Sequence, residues 1–157
     1  MSVFEETYRR YSGEIHRFAR YLSGDPALAE DIVSETFVRA WTSPSPIRTA
    51  TVKAYLLAIA RNVYLEELRK RRRREPLTEQ LADCHAGPEH NAEQRLRLQA
   101  TLEALQQMPE PDRSALLMRA LDEAPYEEIG AALGISTAAA KVKVHRARLK
   151  LAYAIGS

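Results

Sequence analysis

YEEIGAALGISTAAAKVKVHRARLK, residues 126–150, is the stretch whose reading decides the fold. Its first eight residues set Ile129, Ala132 and Leu133 at helical spacing, and Gly130 and Ala131 leave room for a second helix to cross closely. Gly134 supplies a turn and Ile135 plugs the corner. Ser136 is a good N-cap, because its hydroxyl accepts a bond from a free amide of the next helix. That helix starts near Thr137. It puts Ala140, Val144 and Ala147 on one face, while Lys141, Lys143, Arg146, Arg148 and Lys150 point elsewhere with His145 among them. A buried stripe opposed by cations is what a major-groove reader needs: cations hold phosphates, and residues near the helix start reach base edges. An ordinary amphipathic helix would share the charge pattern. It would not need the turn glycine, the capping serine and the small crossing residues in this order, so the stretch reads as a helix-turn-helix.

The whole chain has 157 residues, enough to bury a core as one domain or as two small ones, and a net charge of only +2. The distribution of charge says more than its sum. Acidic residues gather at Glu30, Asp31 and Glu35, whereas residues 69–74 are an unbroken basic run. The one cysteine, Cys84, excludes an internal disulfide, and with His85 and His90 it would make at most a partial metal site. A free linker thiol is expected, with no metal and no cofactor. No apolar run approaches the roughly 20 residues that span a bilayer, and the first residues lack a signal-peptide pattern. These features predict a soluble, cytoplasmic protein without membrane insertion. Sparse glycine, no strand alternation and repeated spacings of three and four predict an all-α fold.

From the N-terminus, Ser2 and Glu5 read as a capping box, and Phe4, Tyr8, Tyr11, Ile15, Phe18 and Leu22 form the apolar seam of a first helix. Ser23-Gly24 ends it. Asp25 caps a second helix with Pro26 at its first position, burying Leu28, Ile32, Val33, Phe37, Ala40 and Trp41. Ser43-Pro44-Ser45-Pro46 stops that helix. A third helix, residues 50–73, is expected to bury Val52, Leu56, Ile59, Ala60, Val63 and Leu68 and to carry Lys53, Arg61, Asn62 and the basic run on its remaining surface. Six consecutive cations cover every azimuth of a helix. Beside a DNA-reading helix, phosphate neutralisation explains them better than solubility alone.

Residues 77–89 show no sustained period and contain Gly87-Pro88, which predicts a linker able to reach about 45 Å when extended. The second half opens with a helix over residues 91–108, expected to bury Ala92, Leu96, Leu102, Leu105 and Met108. Pro109 and Pro111 break it, and Asp112 reads as the cap of a short helix over residues 114–121 before the helix-turn-helix. The architecture expected is two small helical domains joined by a flexible linker: residues 1–75, 76–90 and 91–157.

Both halves of the chain resemble one family, the extracytoplasmic-function (ECF) sigma factors of bacterial RNA polymerase. AEDIVSETFVRAW (residues 29–41) is similar to its core-polymerase-binding segment, and KAYLLAIARNVYLEELRKRRR (residues 53–73) resembles its promoter −10 segment. Residues 102–151 resemble its −35-binding domain. The resemblance implies a region 2-like domain followed by a region 4-like domain. It implies that Asp31, Ser34, Glu35 and Arg39 dock on the clamp helices of the polymerase β′ subunit, an exposed acidic face meeting a basic partner, and that the second domain meets the β flap. It further implies that Lys53, Tyr55, Arg61, Asn62 and Arg69 serve the −10 element, with Asn62 nearest a flipped base of the non-template strand. Thr137, Lys141, Lys143, Arg146 and Arg148 would approach the −35 duplex. An anti-sigma factor is the further partner implied.

The sequence departs from the family pattern at several positions. Ser34 is shorter than the polar residue common there, Tyr55 stands for a tryptophan, Pro125 for a capping serine, Ala138-Ala139-Ala140 for a valine-glycine-threonine-valine type of lead-in, and Val142 for a groove-side serine. Base reading would then lean on few side chains, with duplex shape contributing more.

Two other classes compete with this reading. A stand-alone helix-turn-helix regulator with an N-terminal interaction module would not need the AEDIVSETF and AIARN stretches. An enzyme with a DNA-binding tail would need a catalytic constellation, and the chain offers no phosphate-cradling glycine loop and no nucleophile with base and orienter. No catalytic residue is expected.

Overall fold

The computed structural model describes residues 2–42, 51–74 and 91–156. They form seven helices: α1 (Val3–Ser23), α2 (Pro26–Thr42), α3 (Val52–Arg74), α4 (Ala92–Gln106), α5 (Glu110–Asp122), α6 (Tyr126–Leu133) and α7 (Thr137–Ile155). There is no strand among the described residues. The all-α class and the two helical units read from the sequence are thus the observed ones. Residues 43–50 and 75–90, which hold the expected proline loop and linker, lie outside the described residues.

Local chemistry sets most helix ends. Ser2 Oγ accepts from the Glu5 amide at 3.1 Å, one half of the expected capping box. Gly24 ends α1 at φ 70°, its amide donating to the Arg20 carbonyl at 3.0 Å. Asp25 Oδ1 accepts from the amides of Ala27 and Leu28 at 3.0 and 3.2 Å, which starts α2. A complete capping box opens α4, where Asn91 and Gln94 exchange side-chain and backbone bonds. One cap is a correction. Asp112 is not the cap of α5 but lies inside its first turn, because Pro109 is the N-cap and Pro111 fits a position whose amide needs no partner.

Helices α1, α2 and α3 form one bundle, and α4 to α7 form the other. Ile15, Phe18 and Leu22 of α1 meet Leu28, Ile32 and Phe37 of α2 and Leu56, Ile59 and Val63 of α3 in the first core. In the second, Leu105, Leu116, Leu117, Ile129, Ala140, Val144 and Ala147 close around α5. The two cores are continuous, since α1 also packs on α4 and α5, and α3 packs on α6.

This seam explains the burial that periodicity alone did not give. Ala54, Leu57, Ala58 and Tyr64 are buried although they lie off the expected stripe, because α3 is covered on two sides. Conversely, Val52 is 53% exposed and Trp41 is 51% exposed, the latter making an edge contact with the Phe4 ring at 5.1 Å. Leu96, 67% exposed, lies on the first half of α4, which buries none of its residues; α4 is anchored instead by Leu102 and Leu105.

Candidate nucleic-acid interface

The helix-turn-helix is built as its sequence dictates. Gly134 takes the left-handed conformation at φ 71°, and its amide closes on the Gly130 carbonyl. The Ile135 amide donates to the same carbonyl at 2.9 Å, and Ser136 Oγ accepts from the Ala139 amide at 3.1 Å. Helix α6 starts on Pro125 without a side-chain cap, as the missing serine implies. Its entry is steadied instead by Tyr126, whose ring lies under the Arg119 guanidinium at 4.6 Å and the Lys141 ammonium at 5.7 Å.

Helix α7 then presents its residues in two groups. Ala140, Val144 and Ala147 are buried, Thr137 is half-buried at the start, and Lys141, Arg146 and Arg148 are exposed. Lys143 is turned partly inward. Its ammonium lies 3.5 Å from Asp112 Oδ1, and Lys150 approaches Oδ2 of the same carboxylate at 3.4 Å. Asp112 therefore engages two of the helix's cations through one carboxylate, Lys150 staying half exposed, and Lys141, Arg146 and Arg148 are the exposed cations outside that pairing.

The second group of candidate residues lies on α3. Arg69 is exposed, whereas Tyr55 and Asn62 are half-buried. Arg61 is committed within the fold: its Nε and Nη2 donate to the two carboxylate oxygens of Glu110 at 2.6 and 2.8 Å, a bidentate pair across the seam. Burial acts to raise the Glu110 carboxyl, but the Arg61 guanidinium and the Ser114 hydroxyl outweigh it and hold the group below the usual range. Lys53 lies 3.1 Å from Glu14 and 3.6 Å from Asp122, beside a cleft of about 380 Å3 between the halves.

Asp122 differs from Glu110 in kind. Its side chain has no exposed area and its oxygens accept no hydrogen bond, while Arg17 and Lys53 stand at 3.8 and 3.6 Å. Burial pushes this carboxyl up, more strongly than Lys53 and Arg17 draw it down, and the neighbouring Glu14 adds to the rise.

The third group sits on α2. Asp31, Ser34, Glu35 and Arg39 are brought together along a shallow cleft of about 390 Å3, closed on the α3 side by Glu67 and Lys70. Asp31 and Ser34 are exposed. Arg39 donates to Glu35 at 2.9 Å and also to Glu66, so it is fixed between two carboxylates. The bond from Arg39 is the main reason the Glu66 carboxyl is held below its usual range.

The sequence brought attention to the cations but not to the acids that hold them. Glu110 and Asp112 flank Pro111 at the start of α5, and acidic residues in a first turn are expected on helix-dipole grounds alone. Nothing local marks them as partners of Arg61 and Lys143. Arg113 was missed as well: it is buried in the seam, donating to the Tyr64 hydroxyl at 2.9 Å and the Leu105 carbonyl at 3.3 Å.

Comparison with known proteins identifies the two helical units. Residues 7–74 match the family Sigma-70 region 2, and residues 98–151 match Sigma-70, region 4. The chain is 33% identical over 157 residues to the ECF RNA polymerase sigma factor SigE of Mycolicibacterium smegmatis, covering 96% of this chain and 61% of that relative. It is 30% identical to the RNA polymerase sigma factor CarQ of Myxococcus xanthus, with 98% of this chain and 90% of that one covered. Among solved structures it is similar to the sigma factor RpoE in complex with the anti-sigma factor NepR from Bartonella quintana. That match has a TM-score of 0.81 at 25% identity and covers 96% of this chain and 95% of the other.

Proposed function

From the premise that the chain belongs to the ECF RNA polymerase sigma factors, we propose how its own surfaces divide the work of directing core polymerase to promoters. The first unit, residues 1–75, joins the polymerase and handles the −10 element. The second, residues 91–157, handles the −35 element and meets the β flap, and residues 76–90 connect them.

The single observation that carries this reading is the outward face of α7, where Lys141, Arg146 and Arg148 stand exposed behind a buried Ala140, Val144 and Ala147 stripe. A helix so placed enters a major groove with its cations on phosphates and Thr137 near the base edges. Lys143 joins them once a phosphate competes with Asp112. Each phosphate neutralised steepens the salt dependence of binding by about 0.9 in log K against log salt.

On α3, Asn62 and Tyr55 offer an amide and an aromatic face to an unstacked base, and Lys53, Arg61 and Arg69 follow the strand's backbone. On α2, Asp31, Ser34, Glu35 and Arg39 form the docking face for the β′ clamp helices. Its acidic side chains suit a basic partner, and Arg39, pinned by Glu35 and Glu66, gives it a fixed hydrogen-bonding geometry.

The protein acts as a subunit that positions DNA and polymerase, without chemistry of its own and without a cofactor. It works in the cytoplasm; no described helix is long and apolar enough to cross a membrane. The likeness to a sigma factor bound to an anti-sigma factor supports an inhibitory partner of that kind for this chain.

The test is run-off transcription with purified bacterial core polymerase on a fragment library. Discrete new start sites that appear with this protein and weaken with Glu35→Lys are the expected result. Failure to bind core polymerase would favour a stand-alone regulator instead.

A further inference from the structure

One end of the first bundle carries rings that its core does not use. Helices α1, α2 and α3 run up, down and up, so the start of α1, the end of α2 and the start of α3 share that end. Arg10 and Tyr11 of α1 accordingly line one cleft with Thr51, Lys53 and Ala54 of α3. Phe4 meets Trp41 edge-on at 5.1 Å, with 70° between the planes, and stacks loosely on Tyr8 at 6.4 Å. Tyr8 in turn meets the buried Phe37 edge-on at 5.0 Å. An edge-on contact leaves at least one face of the indole clear of Phe4. Trp41 stays half exposed and Tyr8 is 43% exposed, and Val38, one turn before Trp41 on α2, is exposed as well.

A cluster of exposed apolar side chains rimmed by charge marks a contact surface. This one adjoins Lys53 and Tyr55, the α3 residues assigned to an unstacked strand, and it has a cation of its own: the Arg10 guanidinium lies over the Tyr11 ring at 5.5 Å. Rings beside cations suit an unpaired strand, because every base has a face to stack and a phosphate to neutralise. An apolar peptide would be served equally by aliphatic side chains.

We propose that Trp41 and Tyr8, braced by Phe4, form a stacking platform for unpaired bases adjoining those held by α3, so that the strand continues from α3 across the ends of α1 and α2. The proposal rests on the reading of the first unit as the holder of the −10 strand, and adds a site to it on two other helices. Glu5 and Glu6 in the first turn of α1 repel phosphates on that side, so the strand's backbone passes by Arg10 and Lys53. The platform itself works by stacking and not by charge. It takes any base, and contributes affinity without sequence preference.

Trp41 is the one tryptophan in the chain, so its emission reports this site alone. The full chain is titrated with a random single strand of about 20 nucleotides, end-labelled for fluorescence polarisation and unlabelled for tryptophan emission, and with an abasic strand of the same length. Emission should be quenched in step with the polarisation change for the base-bearing strand and hold constant for the abasic one. Trp41→Leu keeps apolar bulk and loses the ring; it should weaken binding about fivefold to a hundredfold, the scale of one base–aromatic stack, and leave the salt slope unchanged. Trp41→Phe should restore most of the affinity. Tyr8→Leu, which leaves the fluorophore in place, should move the quench to higher strand concentration. Equal helix content by circular dichroism checks that the variants fold. A strand that binds without quenching, or an abasic strand that quenches to the same depth, would overturn the proposal and leave the reading of α3 intact, as would wild-type affinity in Trp41→Leu. No polarisation change with any strand would remove the first unit's hold on a single strand, and the platform with it.

Discussion

Replacing Gly130 by alanine tests the crossing on which the helix-turn-helix depends. A Cβ at this position would stand 2.7 Å from the Ile135 carbonyl oxygen and 3.4 Å from the carbonyl of Ser136. Both obstacles are backbone, and the turn that carries them is tied to Gly130 by the Ile135 amide at 2.9 Å. The new methyl therefore has no flexible side chain to push aside and must move α7 relative to α6. Overpacking of this kind costs about 1–3 kcal/mol, and alanine returns about 1 kcal/mol through its better helix propensity. Because the obstacle is main chain, the upper part of the range applies, and a net loss of about 1–2 kcal/mol is expected. For a chain of this size that lowers Tm by about 2–8 °C, read by far-ultraviolet circular dichroism. Duplex affinity should fall with it, since α7 is what moves. Gly134→Ala is the comparison: it meets nothing within 4 Å, but its φ of 71° is unfavourable for a side chain, so its cost of about 1–2 kcal/mol comes from the backbone. Gly134→Asn should recover most of that loss. A Gly130→Ala protein as stable as the wild type, with unchanged duplex binding, would refute the argument that close approach selects glycine here.

Asp122→Asn should stabilise the protein most near neutral pH. The Asp122 carboxyl is raised in the fold by burial, so its charged form opposes folding there; as pH falls through the raised value towards about 4, the wild type takes up its proton and the advantage of asparagine shrinks. A Tm difference that stays constant over this window would show that desolvation is not the cause. Changing Lys141 and Arg146 to alanine should reduce the salt slope of duplex binding by about 1 for each phosphate contact removed, and an unaltered slope would strike both from the interface. Arg113→Ala removes the buried donor to the Tyr64 hydroxyl and one of the donors to the Leu105 carbonyl, which keeps the Met108 amide; a loss of about 1–3 kcal/mol in urea unfolding is expected. Arg113→Lys should not rescue it, since one ammonium does not reproduce the fork.

Helix existence and most helix ends were legible because caps and turns are short-range. Gly24, Asn91, Gly134 and Ser136 act on amides or carbonyls a few residues away, and their chemistry shows in the sequence. The outward face of α7 was legible for the same reason, from a period of 3.6 over one uninterrupted element. The seam was not. Arg61 and Glu110 are 49 residues apart and Arg17 and Leu121 are 104 apart, so no period or spacing couples them. The excess of apolar and small residues on α3, at Ala54, Leu57, Ala58 and Tyr64, was the one available sign that this helix is covered on two sides. Lys143 read as an outward cation because Asp112, its partner 31 residues earlier, read as a cap. Asp31, Ser34, Glu35 and Arg39 line one cleft, and the role of Glu66 in fixing Arg39 needed the neighbouring helix.

The continuity of the core across the two halves also bears on how long an unaccompanied open chain can persist. Ala54 and Leu57 line the seam opposite Ala124 and Pro125, and Tyr64 lies under Arg113. Parting the halves wets these surfaces together, and a newly exposed apolar band invites self-association. An open molecule that meets no larger assembly to cover that band is therefore drawn back to closure or lost to aggregates. Its concentration in a cell would be limited by the supply of receptive surface as much as by synthesis.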